Sequence, residues 1–244
     1  MKNGLTLARI TLLAAVFQPF SAAAETDLSQ GQASDQLPFS IGIDATLASK
    51  YLWHGIDYSD GHPVIQPEMV LGYDSFSATV WLNGDLEDGQ VTEADLYLTY
   101  TRPVRPLSLT LGYGYFSYPH REGWSPSQEV FVAAGLAAPF HPSLSLHYDF
   151  QSGDGFYADL GGGEGIEHSL GWLAVGANLY YHQSYYQLTG FPAIEIQGGN
   201  SFGVGPATLA LSVSYFLTWD NGDFTGGNAV DDAWVYSLNI AKNF

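Results

Sequence analysis

From Phe39 to the last residue, apolar and polar side chains alternate with a period of two. The first stretch carries Phe39, Ile41, Ile43, Ala45, Leu47, Tyr51 and Trp53 on one face, and Gly42, Asp44, Thr46, Ala48 and Lys50 on the other. Strict alternation over that length predicts a β-strand with two unlike faces. From Phe39 to Tyr51 such a strand extends about 40 Å, and tilted by about 45° it rises roughly 28 Å, close to the apolar thickness of a bilayer. Eleven further segments repeat the pattern. Ile65 to Tyr73 leads through an Asp74-Ser75 turn into Phe76 to Leu82; Ala94 to Tyr100 is followed by Leu107 to Tyr115, and Val130 to Leu136 by Leu144 to Phe150. A segment from Phe156 to about Gly163 is weakened by Gly161-Gly162-Gly163. Leu173 to Tyr181, a strand opening at Ile194 with its end near Phe202, Leu209 to Trp219 and Trp234 to Phe244 complete the set.

Twelve strands is an even number, and the connections differ in kind. Short turns at 74–75, 102–106, 137–142 and near 204–206 interleave with polar segments at 54–63, 84–91, 117–127, 182–191 and 220–232. Short turns on one side and longer loops on the other are the habit of outer-membrane barrels, whose turns are periplasmic. The expected fold is therefore all-β: a transmembrane antiparallel β-barrel of about 12 strands with both termini periplasmic. A soluble sandwich or lipocalin-like barrel would also alternate. Against it stand strands longer than the usual five or six residues, aromatics at strand ends, and an outward-facing terminal Phe244. That last residue, after Tyr236, Leu238 and Ile240, has the form of a signal for barrel-insertion machinery.

Ahead of the barrel, Lys2 and Arg9, the apolar run Ile10 to Phe20 and Ala22-Ala23-Ala24 read as a signal peptide over 1–24, cleaved before Glu25. Residues 25–38 are polar and acidic, the pattern of a disordered periplasmic tail, and 39–244 form the outer-membrane barrel. The localisation that follows is the outer membrane of a Gram-negative bacterium.

Composition sharpens this picture. There is no cysteine, so no disulfide framework or thiolate metal site enters. Only five basic residues follow residue 24, against 25 acids, a net charge of about −20 that repels nucleic acid. If the apolar face meets lipid, the other face lines the lumen. There the alternation places Asp44, Lys50, Glu68, Glu93, Asp95, Glu129, Asp149, Asp159 and Glu195, eight of them acidic. A carboxylate facing lipid at mid-depth would cost about 3 kcal/mol, so this segregation is itself a check on the register. Side chains narrow a twelve-stranded barrel of about 25 Å, and a solute passes within about 8 Å of charged walls, too close for salt to screen fully. The expected function is a passive, porin-like channel for small hydrophilic solutes with an acidic, cation-favouring lumen, needing no cofactor. Its expected partners are outer-membrane lipid, lipopolysaccharide, small polar or cationic solutes and, through Phe244, the insertion machinery. The alternative is a non-transporting structural or binding barrel, its lumen plugged by Tyr97, Phe116, Phe131, Trp172 and Tyr180, with external loops doing the work.

Other chemistry is weakly signalled. His54 and His62 lie near Asp57 and Asp60 in the first loop, but no metal-ligand spacing supports a site. The loop acids Asp85, Glu87, Asp88, Asp231 and Asp232 have no nucleophile with a positioned base beside them, so no enzymatic activity is expected. Arg121 reads as a solvated loop arginine, and Arg102 and Arg105 belong to a turn.

The segment Ser49-Lys50-Tyr51-Leu52-Trp53-His54-Gly55-Ile56 resembles the opening strand of the TorF-type porin family, a group of conserved bacterial proteins of unknown function. Gly61-His62-Pro63-Val64-Ile65-Gln66 follows where that family has a Pro and a Gln, and Glu93-Ala94-Asp95-Leu96-Tyr97 resembles its later Glu-x-Asp-x-Tyr strand. Lys50 stands where an acid is usual and His54 where an arginine is usual. The resemblance implies a barrel with porin-like transport.

Overall fold

A computed structural model describes residues 38–219, 228–229 and 232–244. The signal-peptide reading and nearly all of the 25–38 tail lie outside the described residues. Twelve long strands follow one another around a closed antiparallel barrel. They are β1 (Phe39–Ala48), β2 (Val64–Tyr73), β3 (Phe76–Asp85), β4 (Val91–Val104), β5 (Leu107–Ser117), β6 (Ser127–Leu136), β7 (Ser143–Asp149), β8 (Gly155–His168), β9 (Gly171–Tyr185), β10 (Ala193–Val204), β11 (Ala207–Thr218) and β12 (Ala233–Asn243). Each pairs with its neighbours in sequence, and β12 returns to β1 from Gly42↔Asn243 to Ala48↔Ser237. Closure leaves no edge strand, so every ladder hydrogen bond is made within the chain.

The alternation read from sequence is the alternation of faces. Outward residues form an exposed apolar belt in which Leu111, Val175 and Ile196 are each more than half exposed. Aromatic pairs band its two ends: Phe76 with Tyr100 at 4.9 Å on the short-turn side, and Tyr148 with Phe156 at 4.5 Å and Tyr215 with Trp234 at 4.7 Å on the other. Aromatic girdles bounding an apolar band suit a molecule whose solvent is a bilayer. The strands join through tight turns at one end, and Asp74 takes the left-handed conformation (φ 53°) that a two-residue hairpin demands.

Two expectations are corrected. β1 stops at Ala48, so Tyr51 and Trp53 do not continue its outer face; Tyr51 is only 7% exposed and lies inside the mouth. Off the wall, Tyr51 and Ile56 are buried with Val64 and Trp81, and Leu52 with Ala193 and Phe216, which removes their apolar surface from water. The glycine-diluted strand, expected to fade near Gly163, runs on to His168. Its glycines serve close approach: the 137–142 turn folds over it, with Gly163 N donating to Phe140 O at 2.8 Å. A Cβ on Gly162 would come within 2.7 Å of that same oxygen.

Candidate functional site: the inner wall and the inturned first loop

Register settles which side chains share the interior. Asp44 pairs with Glu68, Glu68 with Trp81, Trp81 with Asp95, and Asp95 with Phe116. Paired positions on neighbouring strands share a face, and only successive positions along one strand alternate, so all of these point inward. The same reasoning puts Glu93, Glu129, Asp149, Asp159 and Glu195 on the inner wall, and all eight predicted carboxylates share it. Lys50, the ninth residue, follows the end of β1 in the inturned segment and is half-buried; it is not on a wall strand.

These acids are not spread evenly along the axis. Six lie nearer the long-loop ends of their strands, whereas Asp44 and Glu68 face each other at mid-strand. Towards the short turns the inner wall carries small or hydroxyl side chains, such as Thr101 opposite Thr110, Thr110 opposite Ala133, and Gly163 opposite Gly176. The interior thus carries small side chains at one end and is filled with acids, imidazoles and aromatic rings towards the other.

The filling is a hydrogen-bonded layer. Glu129 accepts from the Tyr157 hydroxyl at 2.7 Å and from His147 Nδ1 at 2.8 Å. The His147 ring lies between Tyr157, stacked at 4.2 Å, and Phe131, stacked at 4.9 Å. Glu195 accepts from the Tyr180 hydroxyl at 2.6 Å and from Asn178 Nδ2 at 3.2 Å. Asp149 accepts from the Ser127 hydroxyl and from Gln151 N, and Asp44 from Asn239 Nδ2. Glu129 and Asp149 have no exposed surface, and His147 and His182 only 1%. Asp159, by contrast, keeps a quarter of its side chain exposed. Buried carboxylates survive such desolvation only when hydrogen-bonded.

The first loop completes the layer. Leu52–Trp53 and Ile56–Asp57 form a short hairpin that turns into the mouth, its turn made by His54 (φ 51°) and Gly55 (φ 79°). A Cβ on Gly55 would meet the side chain of Ala193 at 2.8 Å, so glycine lets the hairpin lie flat on the wall. Its tip reaches across the lumen. His54 Nδ1 is 2.9 Å from His182 Nε2, and His54 Nε2 is 3.0 Å from Asp159 Oδ1, near enough for an ion pair though off the line of a good hydrogen bond. Trp53 stacks on His54 at 3.8 Å, and His54 stacks on Tyr180 at 4.2 Å. Tyr51, Ile56 and Tyr58 pack with Val64 and Trp81 on one side of the mouth, Leu52 with Ala193 and Phe216 on the other. At its outer edge His62 bridges Asp85 at 3.1 Å and Glu87 at 2.8 Å.

His54 and His62, read together from sequence, are therefore drawn apart, one inside and one on the rim. Among the described residues no group of three or more His, Cys, Asp or Glu is arranged to hold a metal ion. Arg121 is a further correction. Far from projecting into solvent, its guanidinium lies 4.7 Å from the Trp124 ring and 5.9 Å from the Tyr58 ring, and its Nε is buried. No alternation runs through loops, and only the Tyr-, Trp- and Gly-rich composition around residues 51–58 and 118–124 hinted at inward packing. Of the five aromatics expected to fill the lumen, Phe116, Phe131 and Tyr180 are buried, and Tyr97 and Trp172 are partly so.

By fold this is a porin-type β-barrel. The structure matches the NanC porin with a TM-score of 0.55 at 12% identity, over 82% of this chain and 98% of that one. An outer-membrane channel from Pseudomonas putida F1 aligns with a TM-score of 0.46 at 13% identity, over 90% of this chain and all of that one. The chain belongs to the Gcw_chp family, described as bacterial protein of unknown function, whose model matches residues 32–156. No curated protein matches it.

Proposed function

We propose that this protein is a passive outer-membrane channel for small hydrophilic solutes, with an acidic constriction that favours cations, captured here with its mouth closed. The observation that carries this reading is the confinement of eight carboxylates to the inner wall, from mid-strand to the long-loop end. Few basic residues offset them: only Lys50 and Arg121 lie at the mouth, Arg102 and Arg105 lie at the short-turn end, and Lys242 sits on the outer face over the Phe244 ring. Fixed negative charge in a narrow low-dielectric passage attracts cations and repels anions. Wetting, width and charge suffice for passage, and the chain does no covalent chemistry.

In this reading the apolar belt meets lipid of a Gram-negative outer membrane, and the long loops face outward against lipopolysaccharide. The tight turns and both termini face the periplasm, and the exposed Phe244 is read by the insertion machinery. The inturned hairpin is held by noncovalent contacts alone, so its withdrawal opens the acidic layer. The test is reconstitution of the mature chain in planar bilayers under a salt gradient. A reversal potential of the sign set by cation flow is expected; absence of conductance, or anion-dominated current, overturns the reading.

A second reading has its own support. A sealed layer at Glu129, Asp149 and His147 is also what a non-transporting barrel with working loops would have. Liposome swelling separates the two: swelling in small sugars or amines favours the channel, and none in any solute favours the plugged barrel.

A further inference from the structure

Glu93 and Asp95 are the acids whose needs the layer does not meet. They are 4% and 5% exposed, yet Glu93 Oε2 and Asp95 Oδ1 have no hydrogen-bond partner among the described residues. Asp95 Oδ2 has only a long contact, 3.4 Å, from the Tyr97 hydroxyl. Glu93 meets the Tyr51 hydroxyl with its other oxygen, and two neighbouring buried carboxylates each keeping one oxygen open ask for a positive charge. Above them is a cluster of aromatic rings. Tyr51 lies against Trp81 and Tyr58, both at 5.4 Å, and Tyr58 meets the edge of Trp124 at 5.2 Å.

One cation already stands there. Arg121 reaches inward from the loop between β5 and β6, its guanidinium over the faces of Tyr58 and Trp124 and its charge felt by Glu93. It does not close the site. No ion pair within 4 Å joins Arg121 to either acid among the described residues, and Arg121 Nε is itself buried without a partner. The arrangement is a cation held on ring faces, short of the carboxylates beneath it.

We propose that these rings, with Glu93 and Asp95, form a binding site for organic cations of the guanidinium or alkylammonium class, and that Arg121 is a tethered stand-in occupying part of it. Ring faces and carboxylates together suit a cation that is weakly hydrated and partly apolar: the rings repay lost hydration by cation–π attraction, and the acids supply charge and hydrogen-bond acceptance. A small, strongly hydrated metal ion gains little from ring faces. An incoming solute displaces the Arg121 side chain and comes to rest nearer the two acids. The inference deepens the cation preference proposed above and rests on it for how solutes arrive, but the site itself is a matter of binding.

The experiment therefore reads binding in detergent, where no current is involved. The folded full-length barrel is titrated with agmatine and with tetramethylammonium, following tryptophan fluorescence and calorimetric heat, with urea as the neutral comparison. R121Q should bind both cations about tenfold more tightly than the unaltered chain, and E93Q should lose about tenfold, while urea binds to none. Because D95N could disturb folding, E93Q is the principal variant, accepted once its heat-modifiable gel mobility matches that of the parent. Binding of neither cation to the parent or to R121Q overturns the proposal. So does affinity unchanged by E93Q, or weakened by R121Q. Failure of the channel reading would appear separately, as absent conductance in a barrel that still binds agmatine.

Discussion

Two residues show how local chemistry adjusts this barrel. His62 stands on the rim with a carboxylate at each ring nitrogen, and its hydrogen bond with Asp85 raises its pKa above the ordinary value of 6.5, with Glu87 and Asp60 adding to the effect. A raised histidine holds its partners while protonated. The His62 tether is fully present below pH 6.5 and is lost as pH rises through the folded-state value, so the base of the inturned loop should be fastened more firmly in acid. Titrating the His62 ring by NMR should give a value above 6.5 that falls towards it in D85N; an unchanged value would dismiss the tether. Gly112 is the second. A Cβ there would stand 1.8 Å from the Phe131 ring, which lies directly over the glycine from the paired position on β6. G112V should cost about 1–3 kcal/mol through overpacking, read as a lower unfolding midpoint in urea, while G135V, which meets nothing within 4 Å, should cost far less.

Among the elements, the hairpin of residues 52–57 differs from all the rest. The wall strands are held by continuous ladders on both sides, whereas the hairpin pairs only with itself and, through Ile56–Asp57, with Asn228–Ala229 of the last loop. It is fixed by ring packing and by the His54 contacts with His182 and Asp159. Local openings draw on elements with few backbone bonds to the remainder, so this one should move before any wall strand does. Replacing Trp53 and His54 by alanine removes the stack on Tyr180 and the span across the mouth. W53A/H54A should raise single-channel conductance several-fold over the parent with no loss of barrel content by circular dichroism. Equal conductance would mean that the hairpin does not bar the way. The sequence does not mark this element, because alternation through Tyr51 and Trp53 is the same whether a strand continues or leaves the wall.

The molecule as a whole is a tube with unlike halves, small polar side chains towards the tight turns and a packed acidic layer towards the loops. A channel whose selectivity comes from that layer should lose it in strong salt. Near 0.15 M the screening length of about 8 Å spans much of a narrowed lumen, while at 1 M it is about 3 Å. The reversal potential per decade of salt gradient should therefore shrink as mean salt rises, and a potential indifferent to salt would assign selectivity to width alone. The tube was legible in the sequence nearly in full: strand number, their order around the wall, and the inward placement of Asp44, Glu68, Glu93, Asp95, Glu129, Asp149, Asp159 and Glu195 all follow from a period of two. That signal is local, since each residue's face depends only on its neighbours in a pleated chain between lipid and interior. How the interior is filled was not legible. Whether Glu129 finds His147 and Tyr157, whether His54 crosses to His182, and whether Arg121 turns in over Tyr58 depend on which distant strands the closed register brings opposite each other. Side chains and loops settle there by packing and hydrogen bonding across the lumen, and no spacing along the chain records those meetings.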